Sequence, residues 1–163
     1  MVFCGSLRRA IAVLRQEINT ALKEAMKARD ARRVSTLRLV NAAFTNAEID
    51  AEVHGRAAIG DDELLALLQK MIKQRQEAVE IYDKAGRSEL ADGERGEIAI
   101  IQAFLPKQMG EADMQAAIAE IVKATGAQSL RDMGKVMSAL KQTYTGKMDF
   151  GKASGLVKGM LAQ

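Results

Sequence analysis

A single histidine, His54, limits the chemistry open to this chain of 163 residues. Acyl transfer through an activated serine or cysteine needs a base held against the nucleophile, and His54 stands beside Gly55 in a stretch that reads as a loop. One cysteine, Cys4, leaves no thiolate cluster for a metal and no internal disulfide. Asp61-Asp62-Glu63 matches the acidic first turn of a helix better than a cation site, because EF-hand spacing is missing. Neither a Gly-x-x-x-x-Gly-Lys loop nor a Gly-x-Gly-x-x-Gly turn occurs. These residues assemble no active site, and no cofactor or metal is expected.

What remains is cationic. From Ser129 onward six basic residues stand against two acidic ones, a surplus of four in a chain whose formal net charge is only +3. Lys27 to Arg38 holds five basic residues against Asp30, a second surplus of four. Arg131, Lys135, Ser138 and Gln142 share one side of a helix opposite Leu130, Met133 and Leu140, and Lys147 and Lys152 begin the next helix. Amino groups, an exposed helix N-terminus at Asp149 and small residues at Gly146 and Gly151 suit close approach to a phosphate backbone. An ordinary solvated helix face reads the same lysines without a partner. Gly151, Gly155 and Gly159 recur every four residues, a stripe that lowers helix stability and suits either tight helix packing or close approach of a partner.

The elements that must position these groups are helices. The apolar fraction is 48%, aromatics are 4%, Trp is absent and Pro106 is the one proline, a vocabulary of helix formers rather than strand formers. Ile11, Leu14, Ile18, Leu22 and Ala25 keep helical spacing to about Ala28, and Val34, Leu37, Val40, Phe44 and Ala47 continue in a second helix that ends before His54-Gly55. A third runs from Asp61 to a left-handed stop at Gly86, about 24 residues or roughly 36 Å. A fourth runs from Ser88 to Leu105, where Pro106 ends it. Met114, Ala117, Ile118, Ile121 and Val122 form a fifth, closed by Gly126. The sixth carries Leu130, Met133, Met137, Leu140 and Tyr144, and the seventh starts at Asp149 and buries Ala153, Leu156, Val157 and Met160. The fold class is therefore all-α, about seven helices without an internal repeat.

Gly93 and Gly96 each lower the stability of the fourth helix by about 1 kcal/mol relative to alanine, so a hinge is expected there. It divides an N-terminal helical bundle, 1–93 with an extension over 1–13, from a C-terminal three-helix domain, 94–163. Arg8 and Arg9 interrupt the start too early for a signal peptide, and no apolar run spans a membrane. The lone cysteine suits a reducing compartment, and a cytoplasmic location is expected.

Several stretches in fixed order carry a resemblance: Ser35-Thr-Leu-Arg-Leu39, Leu67-Leu-Gln-Lys-Met-Ile-Lys-Gln-Arg75, Ala85-Gly-Arg87, Phe104-Leu-Pro-Lys-Gln108, Asp132-Met-Gly-Lys-Val-Met137 and Gly146-Lys-Met-Asp149. Over roughly Leu14 to Leu161 the chain resembles the GatB/YqeY family, whose YqeY members are similar to the C-terminal helical and tail region of the GatB component of the glutamine-dependent tRNA amidotransferase. The resemblance implies two all-helical domains joined near Gly93. It also implies a tail that leans on the outer corner of tRNA. Carried over by position, tRNA contact falls on Arg131, Gly134, Lys135, Gly146, Lys147 and Lys152. The family pattern is broken at Gly93 and Gly96, where helix formers are usual, and the extension over 1–13 precedes the usual start.

The kinase-like region of the GatB component and the Ser-Lys apparatus of the amidase component have no counterpart. The label of carbon–nitrogen ligase with glutamine as amido donor is thus inherited from the larger enzyme. The leading expectation is a tRNA-binding accessory module without its own active site, working beside aminoacyl-tRNA synthesis or amidotransferase proteins. The alternatives are a ligase component that needs ATP, Mg²⁺ and partner subunits, and a protein-interaction module that uses the Met-rich helices.

Overall fold

The computed structural model of the protein describes residues 4–56 and 58–162, with side chains from residue 13 onward. Of the extension expected over 1–13, residues 1–3 and the side chains before residue 13 lie outside the described residues, including Cys4 and Ile11 of the first expected stripe. Among the described residues there are seven α-helices, one short 3-10 turn and no strand: α1 (Cys4–Lys27), α2 (Ala31–Val53), α3 (Asp61–Lys84), α4 (Ser88–Gln102), α5 (Glu111–Thr125), α6 (Met133–Tyr144) and α7 (Phe150–Leu161). The chain forms two compact units, Met1–Leu105 and Pro106–Gln163. None of the described helices is long and apolar enough to cross a membrane.

In the first unit the apolar positions at helical spacing do meet. Ile18, Leu37, Val40, Phe44, Leu68 and Ile101 are completely buried, with Leu14, Leu64, Met71 and Ile72 nearly so. Asp30 starts α2 by accepting a hydrogen bond from the Arg33 N–H at 3.0 Å, and the preceding Arg29 turns the chain at φ 57. Gly86, at φ 68, ends α3 in the left-handed conformation that glycine adopts without strain. Helix α3 packs chiefly on α4, and α1 on α2. Arg75 fastens the α3–α4 pair: its Nε donates to Glu97 Oε2 at 2.9 Å and lies 4.0 Å from Glu94 Oε2.

The expected division at Gly93 is corrected to the segment after Leu105. Gly93 and Gly96 both lie inside α4, which is continuous from Ser88 to Gln102. Helix packing overrides the local glycine preference. Ala91 and Ile101 anchor the two ends in the core, and the missing side chain at Gly96 makes room for the Arg32 guanidinium, whose Nη1 would stand 2.6 Å from an added Cβ. The chain changes unit where Pro106 prevents the helix from continuing.

The second unit has its own core of Met114, Ile118, Val136, Leu140, Met148, Ala153, Val157 and Leu161. Gly126 closes α5 at φ 65. On α6 the buried pair is Val136 and Leu140, while Met133, Met137 and Tyr144 are only half-buried and Leu130 is 47% exposed. The expected α6 stripe is therefore widened: Val136 and Leu140 enter the core and Met133, Met137 and Tyr144 pack against it, while Leu130, set apart in the 3-10 turn, stays out of it.

Because α4 is regular and the space around Gly93 is open, Gly93→Ala should raise stability by about 0.5–1 kcal/mol in urea unfolding. Limited proteolysis should cut first in the 103–110 stretch and spare 90–96; first cleavage at 90–96 would restore the hinge.

Candidate nucleic-acid interface

The carbonyls and side chains around Gly146 show how the second unit displays its cations. Tyr144 ends α6, its carbonyl accepting from the N–H groups of Lys147 at 3.0 Å and Met148 at 3.2 Å. Between them Gly146 takes φ 78 and is buried. Gln108 Nε2 donates to the Gly146 carbonyl at 2.6 Å and to the Pro106 carbonyl at 2.9 Å. One residue further on, the Met109 N–H donates to the Lys147 carbonyl at 2.8 Å. With the backbone of Lys147 pinned and Met148 completely buried, the Lys147 side chain has one way to go, outward to solvent.

Gly146 is accordingly corrected from a contact residue to a structural one. Its backbone requires glycine because φ is left-handed, and its carbonyl is occupied by Gln108. Gln108 itself was missed by residue chemistry. The available signal was its place in Phe104-Leu-Pro-Lys-Gln108, which the turn brings against the Gly146 stretch.

The expected exposed N-terminus of α7 is likewise corrected. Asp149 Oδ1 accepts from the N–H groups of Gly151 at 2.9 Å and Lys152 at 3.2 Å, so the helix supplies its own anion. Asp132 does a related task ahead of α6. Its Oδ2 accepts from the N–H groups of Gln128 at 3.1 Å and Ser129 at 3.2 Å and from Ser129 Oγ at 3.3 Å. Those backbone hydrogen bonds hold its carboxyl below the ordinary aspartate range against an opposing effect of desolvation, with the Ser129 hydroxyl and the charge of Lys135 adding lesser contributions.

Arg131, Gly134, Lys135, Lys147 and Lys152 are all exposed. Arg131 stands in the 3-10 turn, Lys135 in the first turn of α6, Lys147 in the α6–α7 turn and Lys152 in the first turn of α7, with α6 and α7 packed on one another. Ion pairs among the described residues fall between Arg15 and Glu97, in the first unit. None involves Arg131, Lys135, Lys147 or Lys152. Cβ atoms added at Gly134, Gly155 or Gly159 would meet nothing within 4 Å, so the expectation that the α7 glycines serve tight packing within the chain fails at Gly155 and Gly159. The basic stretch at the start of α2 is used differently: Arg32 lies over Gly96, and Arg33 is half-buried.

His54 closes α2 from an exposed position, its Nδ1 2.7 Å from the Asp50 carbonyl. Asp61 opens α3, as expected of a helix start; burial first, then the charges of Asp62 and Glu17, raise its carboxyl above the ordinary range. A groove of about 360 Å³ along α1 is lined by Val13, Gln16, Glu17, Thr20, Ala21 and Glu24, which include no histidine, cysteine or basic group.

Comparison with known proteins agrees with this architecture. The family model described as "Yqey-like protein" matches residues 15–161, and the chain belongs to that family. The chain is 34% identical over 103 residues to "Altered inheritance of mitochondria protein 41, mitochondrial" of Lachancea thermotolerans, covering 62% of this chain and 54% of that protein. It is 30% identical over 150 residues to the protein of the same name in Kluyveromyces lactis, covering 91% of this chain and 74% of that one. A protein of Schizosaccharomyces pombe named "Uncharacterized protein C22F3.15" is 33% identical over 98 residues, 60% of this chain and 76% of that one. The chain thus matches about half the length of the Lachancea relative. The relatives named as mitochondrial overturn the cytoplasmic expectation. A lone cysteine reports that no internal disulfide forms; it does not report which membrane encloses the protein.

The depressed Asp132 carboxyl yields a pH signature. A carboxyl whose folded value lies below the unfolded 3.8 stabilises fully above that value, and the contribution is lost as pH falls through the folded value. Asp132→Asn should therefore lower the melting temperature at pH 7, and the gap to wild type should close below about pH 4. A gap that is unchanged at acid pH would assign the loss to packing.

Proposed function

We propose that the C-terminal unit is a tRNA-binding module without chemistry of its own, and that Arg131, Lys135, Lys147 and Lys152 meet phosphates of a folded RNA. The observation that carries this reading is that four cations on neighbouring turns and helices of the second unit are exposed and in no ion pair among the described residues, although the first unit too keeps unpaired cations such as Arg38. A protein that neutralises phosphates with such side chains releases condensed counterions, which supplies sequence-independent affinity.

The family resemblance supports tRNA over other polyanions, because the similar tail of the amidotransferase leans on the outer corner of tRNA. Shape recognition fits the chemistry present. A-form RNA offers phosphates and 2′-hydroxyls on an open minor groove, and the second unit offers amino groups and bare helix backbone at Gly134, Gly155 and Gly159. Glycine on an open helix surface lowers helix stability by about 1 kcal/mol relative to alanine, so a ligand that needs the missing methyl group explains its presence. The ligase label belongs to the larger enzyme, whose kinase-like region and Ser-Lys apparatus have no counterpart in this sequence.

Labelled tRNA titrated into the protein at several salt concentrations tests the reading. With about four phosphate contacts the log–log salt slope should be on the order of −3, and each alanine substitution among the four cations should reduce its magnitude by roughly one. Gly134→Ala should weaken tRNA binding while leaving stability equal or slightly higher. Equal tRNA affinity of the wild type and the quadruple alanine variant, or equal affinity of the wild type for tRNA and for single-stranded RNA of the same length, would overturn it.

A further inference from the structure

Helix α2 has two apolar faces, and the chain uses one of them. Leu37, Val40, Phe44 and Ala51 point into the first core. Half a turn away, Ser35, Leu39, Ala42, Asn46, Ile49 and Val53 follow at alternating steps of four and three, the spacing of a coiled-coil seam. All six are exposed or partly so, and the large ones strongly: Leu39 51%, Ile49 53% and Val53 76%. The seam runs almost the whole length of α2, which separates it from the scattered single apolar residues of an ordinary surface.

We propose that this seam pairs with α2 of a second copy of the chain, antiparallel about a two-fold axis. The charges beside the seam select the occupant. Arg38 and Glu52 each stand one residue before a seam position, and the same flank carries Thr45 midway between them. In an antiparallel pair this flank faces itself across the axis, so Arg38 meets Glu52 of the second copy, and Glu52 meets Arg38 of the second copy. Neither residue forms an ion pair within its own chain among the described residues. A parallel pair would instead set Arg38 against the flank of Ala43, with no charge to meet.

The same register puts Leu39 against Ile49 of the second copy on both sides of the axis, with Ala42 against Asn46 in the middle. The small Ala42 permits close approach at the crossing, and Asn46 fixes the alignment, because a seven-residue slip would set its amide against Ile49. Opposed helix directions also place the basic start of each α2 near the acidic end of the other.

Sedimentation equilibrium on the full chain should show the mass rising with concentration from 17.7 kDa toward twice that value. Ile49→Lys should hold the mass at one chain with an unchanged circular dichroism spectrum, and Leu39→Lys serves the same purpose where the first variant perturbs folding. Arg38→Glu should weaken association about tenfold, and Arg38→Glu combined with Glu52→Arg should restore it. A single-chain mass at every concentration, a dimer indifferent to both lysine variants, or a charge swap that fails to restore association would each overturn the proposal.

Discussion

Arg75 holds together the part of the first unit that apolar packing alone leaves thin. Beyond Ile72 helix α3 has no fully buried side chain, and α4, its principal neighbour, carries two glycines in its interior. Two interior glycines lower the stability of an isolated helix by about 2 kcal/mol relative to alanine. The Arg75 guanidinium answers that deficit from a half-buried position, bonding Glu97 and the Met71 carbonyl at once and reaching Glu94. Breaking such a partly buried network from one side leaves the other charge unpaired, at a cost of about 1–3 kcal/mol. Arg95, bonded to Asp83 at 2.7 Å and Asp92 at 2.8 Å, repeats the link further out, where solvent screening leaves it worth much less. With α4 held, Ile101 reaches the core.

The second unit solves a different problem. Its three helices are short, 15, 12 and 12 residues, and short helices are marginal unless their ends and connections are fixed. Asp132 before α6 and Asp149 before α7 act locally, and Gln108 reaches across to Gly146 from 38 residues earlier. At α7 the Asp149 carboxylate takes up the N–H groups of Gly151 and Lys152 that an outside anion would otherwise meet. Under the proposed function, phosphate contact falls to the exposed side chains of Arg131, Lys135, Lys147 and Lys152, an arrangement suited to shape recognition rather than base readout.

Much of this was legible from residue spacing. The all-α class and the extent of α3 from Asp61 to the glycine stop follow from local rules that the tertiary structure leaves in force. The errors arise where a distant contact outweighs a local preference. Gly93 and Gly96 look like a hinge until Arg32 and Arg75 are seen packed around the helix. The α6 stripe looks as if it includes Leu130 until the 3-10 turn is seen to set that residue apart from Met133 and Met137. Gly146 looks like a site for ligand approach until Gln108, 38 residues earlier, is found on its carbonyl. For the candidate site, exposure of the cations was readable from the pattern; the closure of the turns between them was not, since it depends on which carbonyl each amide reaches.

The two proposed surfaces rest on opposite physics, and salt separates them. Phosphate contacts by Arg131, Lys135, Lys147 and Lys152 draw their free energy from counterion release and weaken steeply as salt rises. The α2 seam draws most of its free energy from Leu39, Ile49 and Val53 leaving water, which added salt does not oppose; only the flanking Arg38–Glu52 contacts are screened. Pairing of first units would also place two cationic second units in one particle, so that a long RNA could engage both and bind more tightly than either unit alone, with no new contact formed. That gain requires both surfaces at once, and it disappears when either the seam or the cations are removed, whereas a single unit's contact with a short RNA depends on the cations alone.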